Sequence, residues 1–227
     1  MFTPDLKEAR KRSVDNLQRL YTVVVSLAVT EGLKRLLGPS ATAVKASDWL
    51  MLASLIVTLI PFYHGANRYL DATYVTGERS AKNPALLIDF VLLFLEGVAF
   101  FALAMAIGAE QMFYSILSAL LVFDILWVGM TNLTATGADD KMNDYISWAL
   151  INAFAAALLL LFVWSNLMSL PFWSTPLARS VSLFAVALAR TILDYKRVWR
   201  FYYPSESLTI PAPAPAPLPA QETVQAK

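Results

Sequence analysis

Ionisable side chains interrupt the long apolar runs of this sequence, and any chemistry must lie with them. Trp49–Phe62 is nearly all apolar, and His64, Asn67, Arg68 and Asp71 follow it directly. At about 100° per residue, these four share one narrow helical face. Later runs carry Asp89 and Glu96, seven residues apart, then Asp124, Asn152, and the i, i+4 pair Arg190 and Asp194. An Asp or Arg at the centre of a bilayer span costs roughly 2.5–3.5 kcal/mol. Such groups are expected to turn toward protein or water and to meet one another.

In this set the acids Asp71, Asp89, Glu96, Asp124 and Asp194 face only Arg68 and Arg190, with His64 the sole histidine. Full ionisation of that excess is not sustainable in low dielectric. Either some carboxyls keep their protons, or a cation or a water-filled vestibule compensates. The chemistry to expect is therefore proton or small-cation handling. His64, Arg68, Asp71, Asp89, Glu96, Asp124, Asn152, Arg190 and Asp194 line the pathway in this reading. Glu96 is the deepest acid, with no base at its level, and Pro61 is a gate hinge. The plainer reading makes Arg190–Asp124 and Arg68–Asp89 interhelical ion pairs, Asn152 a helix–helix hydrogen bond and His64 an interfacial anchor. Trp49, Trp173, Trp199, Tyr202 and Tyr203 read as interfacial belts.

Other chemistries are excluded by count. There is no cysteine, so disulfides, thiolate metal sites and thiol nucleophiles are absent. One histidine supplies neither a multi-histidine zinc site nor a bis-histidine haem. No Gly-x-Ser-x-Gly elbow and no Gly-x4-Gly-Lys phosphate loop occurs. An aspartyl pair, Asp89 with Asp124, is conceivable between adjacent helices but has no Gly-rich signature beside it. No cofactor or metal is expected. Net charge of +1 without a basic stripe argues against a nucleic-acid partner.

The elements that must position these groups follow from composition. The 227 residues are 57% hydrophobic and 15% charged, whereas soluble domains are about one-quarter charged. Several runs approach the roughly 20 apolar residues a bilayer demands. The expectation is an all-α polytopic membrane bundle with six transmembrane helices, about 16–37, 48–71, 85–107, 112–133, 145–167 and 176–197. A basic, amphipathic interfacial segment, 1–15, precedes the 16–203 transmembrane domain, and a disordered Pro/Ala tail, 204–227, follows. The charged N-terminus shows no cleavage site, so the first span is expected to be retained.

Local signals mark the boundaries. Thr3-Pro4, Asn83-Pro84 and Thr175-Pro176 pair an N-cap with proline at a helix start, and Ser47 and Asp144 are further N-cap candidates. Gly108–Gln111 leaves a very short turn. Ala149, Ala153 and Ala157 form a small-residue ridge suited to close helix approach. Glu31 can pair with Lys34 or Arg35.

Lys and Arg are biased toward the side holding both ends, which places both termini in the cytoplasm of a bacterial plasma membrane. Expected partners are membrane lipid, a second copy of the chain and a protein recruited by the Pro-rich tail. The function that follows is a small proton or cation channel or transporter subunit. The alternative is a non-transporting anchor or assembly scaffold with structural ion pairs, and an intramembrane enzyme comes third.

Overall fold

The computed structural model describes residues 4–38, 44–76, 85–134, 142–164 and 170–203, and these are helical with no strand among them. The order is α1 (Pro4–Leu37), α2 (Ala46–Leu70, continued by a π-helical turn, Asp71–Val75), α3 (Ala85–Met105), α4 (Glu110–Thr134) and α5 (Met142–Trp164). A 3-10 turn (Pro171–Trp173), α6 (Pro176–Arg197) and a short α7 (Trp199–Tyr202) complete it. The Pro/Ala tail lies outside the described residues.

Where the sequence predicts six spans, five helices among the described residues are long and apolar enough to cross a membrane: Ala46–Val75, Ala85–Met105, Glu110–Thr131, Tyr145–Val163 and Pro176–Arg197. The exception is α1, whose apolar stretch is short between charged ends. The described part of the interfacial segment and the expected first span belong to one helix, Pro4–Leu37. Residues 5–31 contain neither Gly nor Pro, so nothing stops one continuous helix of 34 residues. Its buried side chains Val14, Leu17, Tyr21, Val25 and Ala28 recur at three- and four-residue steps, forming a single seam. That seam packs mainly on α3. A Cβ at Gly97 of α3 would sit 2.6 Å from Val24 Cγ1, so glycine there sets the approach of the two helices.

The other dominant packings are α4 with α5 and α2 with α6. Helix α2 runs through Pro61, which cannot donate to the Val57 carbonyl. Thr191 of α6 supplies the missing donor, its hydroxyl lying 3.0 Å from Val57 O. At Gly65 an added Cβ would come within 2.7 Å of the Trp148 ring of α5. The α3–α4 turn depends on Gly108 in the left-handed region at φ 91°, which favours glycine.

Some boundaries differ from the sequence reading. Helix α2 begins one residue before Ser47, and its N-cap is Lys45, whose N–H donates to Asp48 Oδ2 at 3.0 Å. Helix α5 starts at Met142, so Asp144 lies inside it. Thr175 caps α6 as expected, accepting from Ala178 N at 3.3 Å with Pro176 in the first position. Glu31 meets both Arg35 and Lys34, at 3.3 and 4.0 Å. Of the Ala ridge of α5, only Ala149 packs against the core, while Ala153 and Ala157 are exposed. The inward face is Tyr145, Trp148, Asn152, Ala155, Ala156 and Leu159, because Asn152 and the aromatic rings take the buried side.

Candidate functional site

Seven helices bring polar groups into one largely buried series. At one end, the Tyr21 hydroxyl of α1 donates to Glu96 Oε1 of α3, and Glu96 is buried. Sequence reading leaves Glu96 without a base at its level. Its partner is instead a neutral phenol, and it also lies within electrostatic range of Asp124 and Arg190.

Asp124 of α4 and Arg190 of α6 are linked through Asn152 of α5. The Asn152 amide N–H donates to Asp124 Oδ2, while its carbonyl oxygen accepts from Arg190 Nε at 2.7 Å. An amide between an acid and a base satisfies one atom of each. Both ionisable residues and Asn152 are buried. The direct Arg190–Asp124 ion pair of the sequence reading is thus replaced by a three-helix bridge. The Arg190 guanidinium lies 4.7 Å above the Phe62 ring of α2, a cation–π contact.

One turn further on, Asp194 Oδ2 accepts from the Tyr202 hydroxyl of α7 at 2.7 Å. Burial, with Asp194 adding to it, holds that phenol well above its ordinary pKa, so it remains a donor. His64 lies within electrostatic range of Asp194. Its Nδ1 is 3.0 Å from the Tyr195 hydroxyl, and its ring contacts Tyr195, Tyr202 and Tyr203. The series therefore runs from Tyr21 and Glu96 through Asp124, Asn152, Arg190 and Asp194 to half-buried His64.

Four of its buried atoms have no hydrogen-bond partner among the described residues: Asp124 Oδ1, Asp194 Oδ1, and Nη1 and Nη2 of Arg190. Buried polar atoms are nearly always satisfied, and those of charged groups cost the most when they are not.

The remaining predicted residues sit elsewhere. Asp89 accepts from Tyr74 at 2.6 Å and from Trp127 Nε1 at 2.9 Å. Arg68 donates to the Phe201 carbonyl at 3.0 Å, and Gln18 donates to Asp71 at 3.1 Å. The α2 stripe is thus divided, with Asp71 turned to α1 and His64 and Arg68 to α6 and α7. Pro61 is buried within α2, its orphaned acceptor satisfied as described above.

Tyr21, Tyr74, Trp127 and Tyr202 are the site residues that sequence reading misses. For Tyr21 the available signal was its place in the α1 seam. Tyr202 reads as a belt residue in sequence yet is buried. Trp199 and Tyr203 are exposed, as a belt requires. At the opposite end of the bundle, Arg179 clamps Glu110 with two bonds, 2.5 and 2.8 Å, and donates to the Trp173 carbonyl at 2.9 Å.

Fold and site together define an all-helical protein with several apolar helices around buried charged residues, compatible with an integral membrane location. No protein-family model, curated protein or solved structure matches the chain.

Proposed function

We propose that the protein is a six-span integral membrane protein of a bacterial plasma membrane, with α1 as its first span and both termini cytoplasmic. In this reading the Glu96–Asp194 series exchanges protons or small cations with the cytoplasmic side. The observation that supports it is the pair of buried carboxylate oxygens, Asp124 Oδ1 and Asp194 Oδ1, without a partner among the described residues and each on a group within electrostatic range of Arg190. A closed lattice of ion pairs would use those atoms, whereas a site that takes up and releases a guest leaves them available. His64, half-buried beside Asp194, is the entrance. A chain of 25.1 kDa, apolar through most of its other half, fits a subunit of a homo-oligomer.

A second reading has its own support. Glu96, Asp124, Asp194 and Asp89 each accept from a neutral donor on another helix: Tyr21, Asn152, Tyr202, and Tyr74 with Trp127 respectively. Such bonds fix helix register, as an anchor or scaffold needs. Ion-gradient-driven flux in proteoliposomes separates the two. In the exchange reading Glu96→Gln and Asp124→Asn keep the melting temperature near wild type and lose flux. Lowered melting temperatures, with no flux in the wild type, would establish the scaffold instead.

A further inference from the structure

Helix α6 spans 22 residues, about 33 Å at 1.5 Å per residue, which matches the roughly 30 Å hydrocarbon core of a bilayer. In a membrane its ends, Pro176 and Arg197, therefore lie at opposite interfaces. At the Arg197 end the helix breaks at Val198, whose φ of −111° and ψ of 21° are not helical, and α7 turns inward. Val198, Phe201 and Tyr202 are buried. The Phe201 carbonyl accepts from Arg68 Nε at 3.0 Å, and the Tyr202 hydroxyl donates to Asp194 at 2.7 Å. These anchors fix what the other side of the corner presents: Lys196, Arg197, Trp199, Arg200 and Tyr203 are all exposed.

The three cations stand apart from others in the chain. Arg12, Lys34, Arg35 and Arg179 each meet a glutamate. Lys196, Arg197 and Arg200 have neither an ion pair nor a side-chain hydrogen bond among the described residues, and the acid just before them, Asp194, is fully buried. A basic cluster that ends a membrane span attracts anionic headgroups, each cation being worth about fivefold in affinity.

The aromatic rings decide between a lipid and a soluble anion. Trp199 and Tyr203 are 55% and 48% exposed, with ring centroids 4.3 Å apart. Amphipathic rings of this kind sit at headgroup level, whereas a soluble acidic partner needs only the charges. Net charge selects the lipid. A zwitterionic headgroup brings its own ammonium, which the cluster repels.

We propose that the α6–α7 corner binds a phospholipid of net negative charge, its phosphate among Lys196, Arg197 and Arg200 and its glycerol region against Trp199 and Tyr203. The proposal rests on the membrane location and is independent of proton or cation exchange.

The test places the full chain in phosphatidylcholine nanodiscs doped with phosphatidylglycerol brominated on its acyl chains close to the glycerol. Bromine quenches an indole only at short range, and the difference between wild type and Trp199→Phe isolates Trp199. Brominated phosphatidylglycerol should reach half-quenching at a mole fraction lower than brominated phosphatidylcholine by about tenfold or more. The triple variant Lys196→Gln, Arg197→Gln, Arg200→Gln should abolish that preference. Each single substitution should weaken it a few-fold, which keeps the test readable if the triple variant misfolds. Inorganic phosphate, at an ionic strength matched with chloride, should leave the quenching unchanged. Equal quenching by the two brominated lipids, or a preference retained in the variants, overturns the proposal. Displacement by phosphate assigns the corner to a soluble anion and overturns it too. Failure of the chain to enter the discs would overturn the membrane location, and the proposal with it.

Discussion

The link between Pro61 and Thr191 gives a sharp test of how α2 and α6 are joined. Pro61 has no N–H, so the Val57 carbonyl lacks its intrahelical donor, and the Thr191 hydroxyl takes that place at 3.0 Å. Thr191→Val keeps the shape and removes the donor. One net hydrogen bond is about 0.5–1.5 kcal/mol, and interhelical bonds in membranes average about 0.6 kcal/mol, rarely exceeding about 1.7. A loss near 1 kcal/mol is expected. In a Pro61→Ala background the new N–H bonds the Val57 carbonyl within α2. There the same Thr191→Val change should cost almost nothing. The coupling energy of the cycle is therefore also about 1 kcal/mol, read from reversible unfolding in mixed micelles with increasing dodecyl sulfate. An equal cost of Thr191→Val in both backgrounds would refute the reasoning, since the hydroxyl would then not be serving the carbonyl that proline orphans.

Three further outcomes are expected. Asn152→Leu strips a partner from both Asp124 Oδ2 and Arg190 Nε; at about 1–3 kcal/mol per unsatisfied buried group, it should destabilise by 2 kcal/mol or more in the same unfolding assay. Gly65→Ala places a methyl 2.7 Å from Trp148 Cη2 and should cost about 1–3 kcal/mol by overpacking, with Trp148→Phe recovering part of the loss because it deletes the clashing ring atoms. With no native cysteine, Thr42→Cys should react with an impermeant thiol reagent from outside intact cells and Ser80→Cys only after permeabilisation; external reaction at residue 80 would invert the proposed topology.

What could be read from the sequence followed local chemistry. Thr175-Pro176 marks the start of α6, Gly108 marks the tight α3–α4 turn, and the seven-residue spacing of Asp89 and Glu96 puts both on a buried face. Which face of a helix turns inward is harder to read when apolar residues surround it, because lipid and protein interior then look alike. The α5 ridge went wrong for that reason, since small residues at Ala153 and Ala157 describe a face without saying what it meets. Tyrosine presents a related ambiguity. A phenol suits both an interface and a buried carboxylate, so Tyr21, Tyr74 and Tyr202 acquire their roles only when Glu96, Asp89 and Asp194 arrive beside them from elsewhere in the chain. Asn152 carries the same lesson: its depth is legible, but its place between Asp124 and Arg190 depends on three helices meeting.

The brevity of the Gly108 turn bears on how the protein is made. In the six-span arrangement almost no polar chain separates α3 from α4, so the two enter the bilayer together as a hairpin during synthesis. Glu96, on the first arm, meets Tyr21, which has already emerged from the ribosome. Asp124, on the second arm, has no such companion, because Asn152 lies 28 residues downstream and Arg190 later still. For that interval the nascent chain carries an unmatched acid, at roughly 2.5–3.5 kcal/mol if it reaches the bilayer centre, opposed only by the apolar length around it. In that proposed arrangement, translation order would make α4 a provisional guest of the membrane until α5 brings Asn152 to Asp124.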